Sequence, residues 1–192
     1  MKRNENPRVI ETKSLLEKGL LRLLEHRSIS KVSITALCEE AGVNRTTFYK
    51  YYESVEQLYD TIMERHHEKL VETYNKSFEK TGNIRSALIA ALKYMINNEQ
   101  ETRISLKNTP DGLYTDTKIP VSKDAFREFG RQHNIPEDKV EAVFNYYAAG
   151  SFTLVKDWFL QEKRIKPEDE ADVILYAINS NSKLCQDITG GK

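Results

Sequence analysis

Apolar residues recur along this chain at helical spacing. Leu15, Leu16, Gly19, Leu20, Leu23 and Leu24 fall at i, i+1, i+4, i+5, i+8 and i+9, one apolar face of a helix from about Glu11 to His26. Gly19 lies on that face. Its missing side chain lets another helix backbone come close, at a propensity cost of about 1 kcal/mol relative to alanine. A second helix opens at Ser33, a capping residue type, and carries Ile34, Leu37, Cys38 and Ala41 on its apolar face. Gly42 ends it, because glycine takes the left-handed conformation without steric cost. Val43 is then a buried turn residue, and Asn44 caps a third helix from Arg45 to about Tyr51. So short a link makes the two helices cross sharply, the helix-turn-helix arrangement.

Further along, Ser54-Val55-Glu56-Gln57 has the S-x-x-Q form of a capping box and opens a long fourth helix to about Phe78, with Leu58, Ile62, Leu70 and Tyr74 inward. Thr81-Gly82-Asn83 breaks the chain. Ile84, Ala87, Leu88, Ala91, Leu92, Met95 and Ile96 then form a regular stripe. The pattern next predicts a short helix near Thr102 to Asn108, a loop from Pro110 to Pro120, and a helix near Ser122 to Arg131. Pro136 and Pro167, each followed by acids, start two last helices, since proline suits a first turn and acids favour its dipole. The first should reach about Gln161. Together the two carry more apolar surface than one domain face covers, which implies a partner.

The fold class expected is therefore all-α, with a small three-helix head, residues 1–55, on a helical-bundle body, residues 56–192. The 192 residues suffice for such a pair. The net charge of zero divides unevenly: residues 1–52 hold ten Lys/Arg against six Asp/Glu, and the remainder 19 against 23. A basic head on an acidic body is the asymmetry of a chain whose one end meets a polyanion. No apolar run is long enough to span a membrane and the N-terminus has no signal-peptide core, so a cytoplasmic protein is expected. Cys38 and Cys185 belong to no CxxC pair and are read as buried free thiols. His66 and His67 are read as solvated helix residues, and no metal site or cofactor is expected. With no Gly-rich phosphate loop, nucleophile elbow or His paired with Ser or Cys, the pattern is not that of an enzyme.

The chemistry concentrates in SITALCEEAGVNRTTFYKYY, residues 33–52. The DNA major groove admits one α-helix and offers donors, acceptors and thymine methyls on base edges, so a reading helix needs short polar groups and cations facing outward. With Phe48 inward, Arg45, Thr46, Thr47, Tyr49 and Lys50 remain available. The preceding helix would lie across the backbone, its first amides near Ser33 and Thr35 facing a phosphate.

This stretch resembles the DNA-binding domain of the TetR/AcrR family of bacterial transcription regulators. The family pattern T-V-x-x-I-A-x-x-A-G-V-S-x-G-T-L-Y-x-H-F is met by Ser33, Ile34, Leu37, Cys38, Ala41, Gly42, Val43, Asn44, Thr46, Thr47, Phe48, Tyr49, Tyr51 and Tyr52. Ser54, Glu56 and Leu58 follow in register, although Val55 stands where lysine is usual and no glycine follows the first helix. The resemblance implies that Thr47 and Tyr49 touch phosphate and base edges, with Arg45, Thr46 and Lys50 giving sequence-dependent contacts; Tyr51 completes the set. It also implies a homodimer on a palindromic double-stranded operator, paired through the last two helices, acting as a repressor released by a small-molecule effector. A protein partner in place of that effector, or an activating role, stays open. A ligand pocket in the body would draw on Tyr94, Met95, Phe126, Phe129, Phe144 and Tyr147.

Overall fold

A computed structural model of the chain describes residues 6–109, 127–128, 131 and 136–188. Among them no strand occurs, and the helices are α1 (Pro7–Leu24), α2 (Ile34–Ala41), α3 (Arg45–Phe48), α4 (Val55–Thr81), α5 (Ile84–Asn97), α6 (Glu99–Lys107), α7 (Glu137–Leu160) and α8 (Pro167–Ile188). The architecture is all-helical as the periodicity requires. No helix among the described residues is long and apolar enough to cross a membrane.

Several boundaries move for local reasons. The first helix starts at Pro7, four residues before the expected Glu11, because Asn6 caps it by accepting the Arg8 N–H at 3.0 Å and proline fits the first turn. Regular α3 stops at Phe48, short of Tyr51. Beyond it Lys50 N–H bonds Thr47 O and Tyr51 N–H bonds Phe48 O, the tightened turns of a helix end. Helix α6 begins at Glu99, ahead of Thr102, and Pro136 is the cap of α7 instead of its first residue. The loop and helix expected between Pro110 and Arg131 lie largely outside the described residues.

The chain forms two compact units, the first comprising the chain through His66 plus Glu99–Thr109, the second His67–Asn98 and the chain from Pro110 onward. The contacts thus divide α4 within its own length, and α6 returns to the first unit. In that unit Leu16, Leu20, Leu37, Phe48 and Leu58 are fully buried, with Ile62 and Ile104 beside them. Gly19 is buried, and a Cβ built on it would stand 3.0 Å from Ala41 Cβ and 3.3 Å from Ala41 Cα and N. The missing side chain is what lets α1 and α2 touch at this point.

Polar pairs complete the unit. Arg65 of α4 grips Glu17 of α1 through two bonds, at 3.0 and 2.7 Å. Gln100 of α6 donates to Glu25 at 2.6 Å. His66 corrects the expectation of a solvated residue: it is buried, and its Nε2 lies 3.1 Å from the buried Thr102 Oγ1 of α6. The covering helix comes from 36 residues downstream, and local periodicity cannot anticipate it.

In the second unit, Tyr74 of α4 packs with Ala87 and Ala91 of α5, flanked by Leu70 and Leu88. Gly82, at φ 61°, makes the turn, and Asn83 caps α5 by accepting the Ser86 N–H at 3.1 Å. Helix α8 lies on α5, where Arg85 binds Asp172 at 2.6 and 2.8 Å and Lys93 binds Glu168 at 2.6 Å. It also packs on α7. Trp158 Nε1 donates to Ile165 O at 2.9 Å and closes the link between α7 and α8. Tyr146, Val173 and Tyr176 stay 61%, 43% and 75% exposed.

Candidate nucleic-acid interface

The turn between α2 and α3 is built by backbone bonds that only a left-handed residue permits. Gly42, at φ 65°, lets its own N–H reach Glu39 O at 3.3 Å and the Val43 N–H reach Cys38 O at 3.0 Å, so two end carbonyls of α2 are satisfied within one turn. Val43 is half-buried, and Asn44 resumes immediately as a cap, its Oδ1 accepting the Thr46 N–H at 2.8 Å. At the other end of α2, Ser33 Oγ accepts the Ala36 N–H at 3.1 Å. The first amides of α2, including that of Thr35, have no intrahelical acceptor, and Ser33 and Thr35 are exposed.

Phe48 fixes α3 on the body of the unit. Its ring is fully buried, with Tyr52 at 6.0 Å and Tyr49 edge-on at 5.6 Å between centroids. That orientation leaves Arg45, Thr46, Tyr49 and Lys50 exposed, Tyr49 to 54%. Thr47 and Tyr51 are half-buried at the edges of the same surface. Ser33 and Thr35 are exposed on α2. These residues lie on α2, on α3 and on the turn that follows it, with Arg45 opening α3 and Lys50 just beyond its end. An open depression of about 360 Å³ runs along the α2–α3 turn, lined by Thr35, Cys38, Glu39, Gly42, Val43, Asn44 and Arg45. Cys38 is the expected buried free thiol. Burial pushes its pKa up, against a smaller opposing pull from the Arg45 guanidinium, so it stays protonated packing material.

Two neighbours of this surface have no local sequence signal. The Lys13 ammonium of α1 stands 5.9 Å from the centre of the Tyr51 ring, a cation–π distance reached only when the chain folds back on itself. Arg22, also on α1, reaches the end of α2: its Nε donates to Glu40 Oε1 at 2.6 Å and its Nη2 to Glu40 O at 3.2 Å. A capping box closes the site downstream, where Ser54 Oγ accepts the Gln57 N–H at 3.1 Å. Gln57 Oε1 in turn accepts the N–H of Glu53, one residue before the usual recipient, at 2.6 Å.

The residues expected to line a ligand pocket are spread over two helices. Tyr94 and Met95 sit on α5, half-buried and buried; Phe144 and Tyr147 sit on α7, buried and half-buried. Tyr147 packs edge-on against Tyr146 with centroids 5.4 Å apart. Phe126 and Phe129 lie outside the described residues.

Residues 18–62 match the family model of bacterial regulatory proteins, tetR family. No curated protein sequence matches the chain. Among solved structures, it is similar to the dihydroxyacetone kinase operon activator DhaS, at 15% identity over 91% of this chain and 98% of that one, with a TM-score of 0.59. It is also similar to a tetR-family transcriptional regulator from Streptomyces coelicolor, at 16% identity over 86% of this chain and 78% of that one, with a TM-score of 0.56. At such identities the structural likeness carries the fold, and the family match covers residues 18–62 of the chain.

Proposed function

We propose that this chain, a TetR-family DNA-binding regulator by its N-terminal domain, recognises a palindromic operator as a homodimer and represses transcription until an effector releases it. The observation that carries the reading is the geometry of α3. Asn44 caps it and Phe48 is buried behind it, while Arg45, Thr46, Tyr49 and Lys50 are turned to solvent together. Tyr49 and Lys50 would read base edges with Arg45 and Thr46. Thr47, Tyr51 and the α2 terminus at Ser33 and Thr35 would hold phosphates and set the register.

Recognition in this reading belongs to residues 1–55, and dimerisation and regulation to residues 56–192. Two heads in successive major grooves need half-sites about 34 Å apart, and two-fold symmetry makes the site a palindrome. The dimer would form through α7 and α8, where exposed Tyr146, Val173 and Tyr176 give apolar surface that an isolated chain leaves in water. An effector held near Tyr94, Met95, Phe144 and Tyr147, with Phe126 and Phe129, would act by favouring one head arrangement over the other. A tenfold loss of operator affinity takes about 1.4 kcal/mol of such preference.

A second reading, activation, has one observation behind it: the similarity to the structure of an operon activator, DhaS. The test of DNA recognition is selection of bound duplexes from a random pool at stated salt. An enriched palindrome supports the homodimeric regulator; weak, salt-sensitive binding without enrichment overturns sequence-specific recognition. A promoter–reporter fusion carrying the selected site then separates repression from activation by the direction in which expression moves.

A further inference from the structure

The contact between Arg22 and Glu40 joins the two helices that precede the reading helix. Both side chains are well exposed, at 51% and 36%, so the ion pair adds little to stability. Its placement is more telling than its strength. The guanidinium binds the Glu40 carboxylate and, with a second nitrogen, the main-chain carbonyl of Glu40 in the last turn of α2. Carbonyls there have no intrahelical donor, and a cation at this end also suits the helix dipole. One turn earlier on α1, Gly19 meets Ala41, the residue next to Glu40. The absent side chain of Gly19 lets the helices come close, and the Arg22 fork ties the last turn of α2 to α1.

Only Gly42 and Val43 separate that turn from the Asn44 cap of α3. So short a link passes a rotation of Glu40 and Ala41 on to α3. With four residues of regular helix, α3 has little backbone of its own to resist. We propose that Arg22 is a positioning residue for DNA recognition: by holding the carboxylate and carbonyl of Glu40 it aims α3 at the base edges.

The proposal rests on α3 being the DNA-reading helix, and its test exploits a conflict of signs. If the pair mattered only through charge, removing the anion Glu40 beside a polyanion would strengthen binding, and removing Arg22 would weaken it. Positioning requires both to weaken it. Arg22→Ala and Glu40→Ala are each expected to bind the selected palindrome about three- to fivefold more weakly, since a contact can withhold from binding no more than it contributes and an exposed ion pair contributes little. A scrambled duplex should lose less, and the double variant should be no worse than the weaker single one, because both remove the same contact. Glu40→Ala binding as tightly as the native protein, or more tightly, overturns the proposal.

A second arm needs no DNA. Amide hydrogen exchange at Val43 and Phe48 should speed up several-fold in both variants while the urea unfolding midpoint stays in place. Unchanged exchange at these amides overturns the positioning role. Should the native protein select no sequence, the regulatory reading falls, and the exchange result alone decides whether Arg22 holds α3.

Discussion

Replacing Glu170 with glutamine should stabilise the protein at neutral and alkaline pH and do progressively less as the solution is acidified. Glu170 lies in the first turns of α8, only 4% exposed, and burial pushes its carboxyl from the ordinary 4.5 up to about 7. Below pH 4.5 the folded and unfolded chains both hold the proton, and the residue costs nothing. Between 4.5 and about 7 the unfolded chain releases the proton while the folded one keeps it, so stability falls as pH rises. Above about 7 the loss is complete. Over that interval, at about 1.36 kcal/mol per pH unit, it amounts to at most roughly 3 kcal/mol. Glutamine keeps the shape and removes the ionisation. Any cost of its own amide is the same at every pH. The assay is urea unfolding of the native protein and Glu170→Gln at pH 5, 6, 7 and 8. The advantage of the variant should grow by about 2 to 3 kcal/mol from pH 5 to pH 8. An offset equal at the two ends would refute the argument that a buried carboxyl is held protonated in the fold.

Gly19→Ala should destabilise the first unit by about 1 to 2 kcal/mol, because the overpacking against Ala41 exceeds the gain of about 1 kcal/mol in helix propensity. Thermal unfolding that shows stabilisation would mean that α1 and α2 separate at no cost. Tyr49→Ala and Lys50→Ala should each cost about 1 to 3 kcal/mol in binding the selected site, with unfolding midpoints unchanged. Near-native affinity in titrations of both variants would remove α3 from the reading role. Tyr176→Glu should leave a folded monomer in sedimentation at micromolar concentration; an unshifted dimer would place the pairing surface elsewhere.

The sequence made most of the first unit legible because its determinants are local. Ser33, Gly42, Asn44 and Ser54 act on residues within five positions of themselves, and the structure bears out all four as caps or turn residues. Gly19 was legible for a different reason: a glycine on an apolar helical face signals a close approach, although its partner, Ala41, does not show in the pattern. What the sequence hid is long-range. Arg22 with Glu40, Lys13 with Tyr51 and His66 with Thr102 depend on helix crossings, which periodicity does not encode. The exposure of Arg45, Thr46, Tyr49 and Lys50 could be read from the inward position of Phe48, whereas Thr47, read as available by the same logic, is half-buried beside it. The lining of a body pocket could not, since an aromatic residue at helical spacing has the same signature in a solid core and in a cavity wall.

The return of α6 to the first unit bears on how this protein is made. A ribosome delivers α1 to α3 and the first half of α4 early, then must synthesise residues 67–98 before Glu99–Thr109 emerges. At ribosomal elongation speeds of about 5 to 20 residues per second that interval is roughly 2 to 6 s. Throughout it, the surface that Ile104 covers and the ring nitrogen that Thr102 meets lack their partners. A head that looks self-sufficient in sequence order is therefore finished out of order, and a chain cut after His66 would never acquire its last piece.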